Sequence, residues 1–168
     1  GATSGLLNSL DIIDGGGHTA GDKIVFTSNT STIDGSGFGS NITNIEYIQL
    51  ANGGSSIINY NYVAATLLGG SGNDTLIGNS ASNLLDGGSG NDTVRLTGSF
   101  SQYRIAYTSA TAQFTFTDLT NGRDGVDTIR NVESFVFSDV TKTFAQLSTS
   151  VTAPNTAPTL SGLPTTTA

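Results

Sequence analysis

Aliphatic residues recur at every ninth position through the middle of the chain. In consecutive nine-residue frames that begin at residue 51, the eighth positions are Ile58, Leu67, Leu76, Leu85 and Val94. The clearest frames place Gly, Ser and Asn, which form turns, in the first six positions and strand-forming residues in the last three. Because an α-helix repeats every ~3.6 residues, this period does not indicate a helix. It predicts short strands stacked at a fixed interval, each with one aliphatic side chain directed inward.

Strands this short cannot bury an apolar core alone, so we expect them to stack as the coils of a flattened helix. Two nine-residue units make one coil, with turns on alternate edges. The sequence GGSGND occurs at residues 69–74 and again at 87–92, eighteen residues apart. These two turns are therefore predicted to lie one coil apart on the same edge, with turn 78–83 on the opposite edge.

The turn-then-strand unit also occurs outside this central region. Residues 14–26 contain it with an insertion, and residues 122–129 contain it without the second glycine. The chain is thus predicted to hold two related β units, residues 12–50 and 86–137, joined by the roll.

A second repeat supports this division. The pattern Asn-aliphatic-Glu occurs at residues 44–46 and 131–133, each time before alternating apolar positions. We expect Glu46 and Glu133 to bond backbone groups near the start of a strand.

The end of the chain contains a predicted hairpin and a predicted linker. Residues 103–107 and 113–117 alternate apolar with other residues around a short turn, which predicts a β-hairpin that covers the open end of the stack. All three prolines lie in the last fifteen residues, among Thr and Ser, which is typical of a linker. The predicted organisation is an N-terminal β unit (1–50), a β-roll (51–97), a C-terminal capping β unit (98–150) and a linker (151–168).

Composition agrees with an all-β chain and excludes several functions. The 168 residues include 22 Gly and only 11% charged residues, which favours turns and strands over helices. The net charge of −7 argues against a nucleic-acid partner. Cysteine is absent, and no apolar run approaches the ~20 residues of a membrane helix, so we expect no disulfide and no membrane insertion. The chain starts at Gly1 without a signal peptide, and we expect a fragment or a processed chain.

The GGSGND turns contain the candidate metal-binding groups. Their glycines permit left-handed dihedrals, which let backbone carbonyls turn to one side, and each turn ends in a carboxylate, Asp74 or Asp92. Two such turns stacked one coil apart would form an oxygen-only cage. Such a cage suits Ca²⁺, which takes six to eight oxygen ligands at about 2.3–2.6 Å. Zinc would favour His or Cys, and the chain has one His.

These turns resemble the calcium-binding nonapeptide G-G-x-G-x-D-x-U-x of the RTX (hemolysin-type) family, where U is aliphatic. Residues 69–77 match it fully, and residues 87–95 match with Val94 at the aliphatic place. Residues 78–86 keep the first glycine and Leu85, but Asn83 replaces the aspartate. The resemblance implies an all-β fold with a short parallel β-roll (a β-helix of nonapeptide repeats), flanked by β units and a capping hairpin.

The resemblance also implies a ligand set and a location. The calcium ligands carried over are Gly70, Gly72, Asp74, Gly88, Gly90 and Asp92, with Asp127 and Asp22 as weaker candidates and Asp124 and Asp86 behind them. The simpler alternative is that each aspartate stabilises its own turn. Members of the family are extracellular or lie on the bacterial cell surface, often leave by type I secretion as unfolded chains, and fold on meeting calcium outside the cell.

The expected function is a calcium-binding module that folds on calcium and serves as a structural or adhesive segment of a large secreted bacterial protein, such as an adhesin or a surface-layer protein. Cell-surface glycan or neighbouring copies are further expected partners, through an aromatic patch of Tyr47, Tyr60 and Tyr62. The alternative is a carbohydrate-binding or accessory domain of a secreted polysaccharide-active enzyme. No catalytic residue is predicted, because the single imidazole, His18, lies in a Gly-rich loop without a nucleophile motif.

Overall fold

The computed structural model describes residues 13–14, 21–26, 33–34, 42–54, 56–58 and 66–150. Within these ranges the chain is almost entirely short strands, with one 3₁₀ helix (Phe100–Gln102) and one α-helix, α1 (Phe144–Ser150). The strands are β1 (Ile13–Asp14), β2 (Lys23–Val25), β3 (Ile33–Asp34), β4 (Ile42–Thr43), β5 (Tyr47–Gln49), β6 (Ser56–Ile58), β7 (Thr66–Leu68), β8 (Thr75–Ile77), β9 (Leu84–Asp86), β10 (Thr93–Arg95), β11 (Tyr103–Thr108), β12 (Gln113–Asp118), β13 (Val126–Arg130), β14 (Ser134–Val136) and β15 (Thr141–Thr143).

Successive strands of the central region alternate between two sheets and pair in parallel within each. The first sheet has the order β11-β12-β13-β9-β7-β5-β2, and the second has the order β15-β14-β10-β8-β6-β3. Each coil contributes one strand to each sheet, and the pairs β5–β7, β7–β9, β6–β8 and β8–β10 are all parallel. β1 and β4 form a separate parallel pair. The all-β fold class and the parallel roll predicted from the nine-residue period are confirmed.

The register places the aliphatic position of each unit above that of the next coil. In the first sheet Leu67 pairs with Leu85, which pairs with Ile129, and in the second sheet Leu76 pairs with Val94. These five side chains are 0% exposed, because the pleat directs every second residue into the space between the sheets. The core is therefore built from one side chain per strand.

Aromatic side chains fill the C-terminal end of the core. After β10 the chain leaves the roll, forms the antiparallel hairpin β11–β12, and returns with β13, which pairs in parallel with β9. The ring centroid of Phe135 on β14 lies 5.1 Å from that of Phe114 and 5.3 Å from that of Phe116, both on β12. The predicted hairpin thus ends the roll as a continuation of the first sheet, while β15 continues the second and α1 buries Leu147.

The Asn-aliphatic-Glu repeat has the same local structure in both places. Asn44 and Asn131 both take left-handed backbone, with φ of 55° and 52°. Glu46 Oε2 accepts the backbone N–H of Asp22 at 2.7 Å, and Glu133 Oε2 accepts that of Asp92 at 2.7 Å. The prediction that both glutamates bond backbone groups beside a strand is confirmed.

The predicted division into units remains a proposal about sequence organisation. One hydrophobic cluster extends from Ile45 to Leu147 and crosses both predicted internal boundaries. The predicted linker, 151–168, lies outside the described residues. In the described part of the chain, no helix has the length and apolar character needed to cross a membrane.

Candidate metal centre

The two GGSGND turns stack directly on each other. Turn 69–74 joins β7 to β8 and turn 87–92 joins β9 to β10, so both lie on the same edge of the roll, one coil apart, as predicted. The N–H of Ser89 donates to Gly70 O at 2.9 Å, and the N–H of Gly72 donates to Ser89 O at 2.8 Å. Turn 78–83 joins β8 to β9 on the opposite edge.

Glycine is required in these turns for two separate reasons. Gly70, Gly72, Gly88 and Gly90 all have positive φ, between 92° and 141°. A Cβ on Gly88 would collide with Gly70 O, and a Cβ on Gly90 would collide with Gly72 O. The second and fourth positions therefore need both the left-handed backbone and the missing side chain to bring two turns into contact.

The aspartates of these turns are buried and linked across the coils. Asp74 is 1% exposed and Asp92 is 0% exposed. Asp92 Oδ1 accepts the backbone N–H of Asp74 at 2.7 Å, so this carboxylate bonds to the preceding coil rather than only to its own turn. Glu133 makes the same contact one coil further along, because its carboxylate accepts the backbone N–H of Asp92.

Burial of Asp92 leaves its negative charge poorly compensated. Desolvation raises the pKa of Asp92 to about 6; the N–H of Asp74 opposes this rise, and the charges of Asp74, Glu133 and Asp86 add to it. Asp92 Oδ2 is buried and accepts no hydrogen bond from the described residues. A buried carboxylate oxygen in this state favours a bound cation.

The oxygens around the stacked turns fit calcium. A Cβ on Gly69 would lie 2.8 Å from Asp74 Oδ2 and would collide with Gly87 O, so a carboxylate and a main-chain carbonyl face the same small space. In the ranges that the structure describes, no three His, Cys, Asp or Glu side chains converge as a metal cluster. A site here must therefore draw on main-chain carbonyls as well as carboxylates, and calcium accepts both.

Asp127 lies at the opposite edge, apart from Asp74 and Asp92. Its Oδ1 accepts the backbone N–H of Asn83 at 2.9 Å, and a Cβ on Gly78 would lie 3.2 Å from its Oδ2 and 2.8 Å from Asn83 Oδ1. Asp127 is 2% exposed; this burial raises its pKa to about 8, opposed by the Asn83 N–H and assisted by the charges of Asp124 and Asp118. At this edge the carboxylate of Asp127 lies beside turn 78–83, which carries the amide oxygens of Asn79 and Asn83.

Asp22 is not brought together with the other predicted ligands. It precedes β2 at the far end of the first sheet, four strands from β13, where Asp127 lies. The eight predicted metal residues thus fall into three places: six in the stacked turns, Asp127 opposite them, and Asp22 at the other end of the roll.

The two weakest sequence candidates have structural roles instead. Asp124 is buried and accepts the backbone N–H of Thr97 at 2.9 Å, the Thr97 hydroxyl and the Tyr103 hydroxyl. Asp86 forms an ion pair with Arg130 at 2.8 Å and accepts the side-chain amide of Asn131 at 2.7 Å. Protein donors occupy these carboxylates, and a calcium role for them remains a prediction.

The register also shows a residue that sequence reasoning did not place with the metal site. Thr75 pairs with Thr93, and Thr93 pairs with Ser134. The residues before these three are Asp74, Asp92 and Glu133, so Glu133 occupies the aspartate position of the next coil. In the sequence Glu133 does not fall in the nonapeptide register, because the turn before β14 has three residues instead of six.

Comparison with known families agrees with this geometry. Residues 64–94 match the family model of the RTX calcium-binding nonapeptide repeat, in four copies. No curated protein is detectably similar to the chain. The matched residues run from just before β7 into β10 and include both GGSGND turns. Residues 64–94 are therefore RTX repeats, which bind calcium ions, and they form a calcium-binding structural module within the chain.

Proposed function

We propose that the module folds on calcium and serves as a structural segment of a larger secreted bacterial protein. Asp74 and Asp92 hold the ion between their turns, with carbonyls of the glycines that the sequence predicts, Gly70, Gly72, Gly88 and Gly90. The observation that carries this proposal is the burial of both carboxylates in stacked turns that a hydrogen bond from Asp74 N–H to Asp92 Oδ1 links across the coils. Gly70 O already accepts one N–H, so it would use its second lone pair.

The coupling between calcium and folding follows from charge. Folding brings two carboxylates out of water and one coil apart, which is unfavourable without a cation. A bound calcium ion supplies the missing positive charge and links the two turns. Since the unfolded chain has no preformed site, the free energy of binding adds to the free energy of folding.

A calcium titration of chelated protein tests this proposal, with magnesium as the ionic control. Far-UV circular dichroism should gain β signal, and calcium at 100 times its dissociation constant should stabilise by about 2.7 kcal/mol. For a domain of this size that corresponds to a rise in Tm of roughly 5–10 °C. Identical spectra and melting curves with and without calcium would refute calcium-dependent folding.

A matched pair of variants tests the residues. Asp74→Asn should reduce the calcium-dependent rise in Tm, because it removes one buried charge and keeps an acceptor. Asp139→Asn is the control, since Asp139 is exposed and accepts the N–H of Phe100 at 2.8 Å. Equal calcium responses in wild type and Asp74→Asn would show that the ion does not use Asp74.

An extracellular location fits this function. RTX repeats are typical of secreted bacterial proteins, and extracellular calcium modules can work with dissociation constants of about 10⁻⁴–10⁻³ M. A dissociation constant in this range, measured by calorimetry, supports the proposal. Binding a thousandfold tighter would fill the site at cytosolic calcium concentrations and would contradict folding after export.

The adhesive role remains a prediction. Tyr47 is 38% exposed, and its ring lies against Gly21, while Tyr60 and Tyr62 lie outside the described residues. A glycan array with calcium-loaded protein tests this role, and wild-type binding that Tyr47→Ala removes would support it.

A further inference from the structure

The turn between β13 and β14 occupies the position of a calcium-binding turn, although it has only half as many residues. It consists of Asn131, Val132 and Glu133, whereas turn 87–92 has six residues. Ser134 nevertheless pairs with Thr93 in register, so the short turn stacks on turn 87–92 as the next coil. The left-handed φ of 52° at Asn131 lets three residues reverse the chain direction.

Glu133 repeats the contact that Asp92 makes one coil earlier. Glu133 Oε2 accepts the N–H of Asp92 at 2.7 Å, and Asp92 Oδ1 accepts the N–H of Asp74 at 2.7 Å. The backbone agrees, because Ser134 N donates to Asp92 O at 3.1 Å as Thr93 N donates to Asp74 O at 2.8 Å. The carboxylate of Glu133 is thus positioned as a sixth-position aspartate would be.

The second oxygen of Asp92 faces this short turn. A Cβ on Gly87 would lie 2.7 Å from Asp92 Oδ2 and would collide with Asn131 O. The same arrangement surrounds Gly69, where Asp74 Oδ2 and Gly87 O take the two places. Asp92 is 0% exposed, and its Oδ2 accepts no hydrogen bond within the described residues.

No basic side chain of the described residues neutralises this pair of carboxylates. Both ion pairs found there involve other acids, Arg130 with Asp86 and Arg123 with Asp118. Asp86 also accepts the N–H of Gly88 at 3.2 Å and the side-chain amide of Asn131 at 2.7 Å. Asp86 therefore holds the two turns together without neutralising the carboxylates between them.

We propose that a second calcium ion binds between turn 87–92 and the turn Asn131–Glu133, held by the carboxylates of Asp92 and Glu133 and by the carbonyl of Asn131. This inference rests on the proposed function, because it extends the same series of turns by one coil beyond the repeats at residues 64–94. Glu133 is exposed, so water can complete the oxygen ligands. The ion would tie the C-terminal β unit, across the inserted hairpin, to the roll.

The competing interpretation is that Glu133 only accepts a backbone N–H, as Glu46 does for Asp22. Glu133→Gln separates the two, because the amide oxygen can still accept the N–H of Asp92 while the charge is lost. Asp139→Asn is the matched control for the charge: Asp139 lies just beyond β14 and also accepts a backbone N–H.

Native mass spectrometry with calcium, and with magnesium as control, counts the ions directly. Glu133→Gln should hold one calcium ion fewer than wild type, or bind that ion at least tenfold more weakly. Asp74→Asn should lose a different ion, the double variant should lose both, and Asp139→Asn should match wild type. An unchanged count and affinity in Glu133→Gln, beside a loss in Asp74→Asn, overturns this inference alone. A wild-type protein that holds no calcium overturns the proposed function as well.

Hydrogen exchange gives a second measurement that does not depend on ion counting. Calcium should slow exchange at the backbone N–H groups of Ser134 and of Thr93 in wild type. In Glu133→Gln the calcium-induced protection at Ser134 should be lost while that at Thr93 is retained. Equal protection of both in wild type and variant would show that Glu133 does not hold an ion.

Discussion

Removal of the charge of Asp92 should have opposite effects with and without calcium. Asp92→Asn retains an oxygen that can accept the N–H of Asp74, and its new amide N–H faces the region of Asn131 O beside Gly87. Its hydrogen bonds can therefore be kept while the buried charge is removed. In chelator the variant should be more stable than wild type, whereas in calcium it should be less stable, because a ligand of both proposed ions is lost.

The size of the effect in chelator follows from the pKa. Burial raises the pKa of Asp92 in the folded state from 3.8 to about 6. Each unit is worth about 1.36 kcal/mol, so the charged carboxylate destabilises the calcium-free fold by at most about 3 kcal/mol above about pH 7, and by less where solvent screens the charge. Because the folded pKa is raised, the folded state binds the proton more tightly, and wild-type stability falls as pH rises from about 4 to 6. Asp92→Asn lacks this titration.

Urea denaturation of both proteins at pH 4, 5, 6 and 7, in chelator and in calcium, measures the difference. In chelator the gap between variant and wild type should open from pH 4 through pH 6 and be nearly complete at pH 7. If chelated wild type is unfolded at pH 7, the variant should show more β signal there. Asp139→Asn should follow wild type throughout. A variant less stable than wild type in chelator at pH 7 would refute the reasoning, since the charge would then stabilise the fold without metal.

Two further predictions concern the turns and the C-terminal end. Gly90→Ala should lower the Tm of calcium-loaded protein more than Gly122→Ala, because a Cβ at Gly90 meets the stacked turn, whereas one at Gly122 meets open space, although both have positive φ. Equal losses would mean that the backbone angle alone requires glycine. Tyr103→Phe should cost about 1–3 kcal/mol in urea denaturation by leaving the N–H of Gly98 and the carboxylate of Asp124 without the hydroxyl, with an unchanged calcium count by native mass spectrometry. A lost ion would place this network in the metal site.

Local periodicity predicted the roll because each coil repeats the one before it. The nine-residue spacing sets which side chain points inward, and the GGSGND repeat sets which turns share an edge. Neither feature depends on contacts far along the chain, so Leu76, Leu85 and the turns of Asp74 and Asp92 could be placed from sequence. The hairpin could be predicted as well, from the alternation in β11 and β12.

Contacts between residues far apart in sequence could not be predicted from this periodicity. Asp127 meets Asn83 only because the chain inserts the hairpin and returns in register with β9, and no sequence period crosses that insertion. The sequence predicts Glu133 as a backbone acceptor, but its position in the aspartate series depends on the pairing of Ser134 with Thr93. The hydrogen bonds of Asp124 to Thr97 and Tyr103 are also contacts between residues far apart in sequence, so the sequence alone does not separate Asp124 from the candidate ligands.

The series from Asp74 through Asp92 to Glu133 has a direction, because Asp92 and Glu133 each accept the N–H of the acidic residue one coil before. Glu133 precedes β14, whose outer neighbour β15 is antiparallel, so within the described residues no further parallel coil continues the series at that end. The protein can therefore lengthen from within. Duplication of the eighteen residues 69–86 would insert one complete coil, with its own turns and core residues, and leave both ends unchanged. Gene duplication could thus change the length of the roll and its number of calcium sites one coil at a time. The structures that end the stack would stay the same.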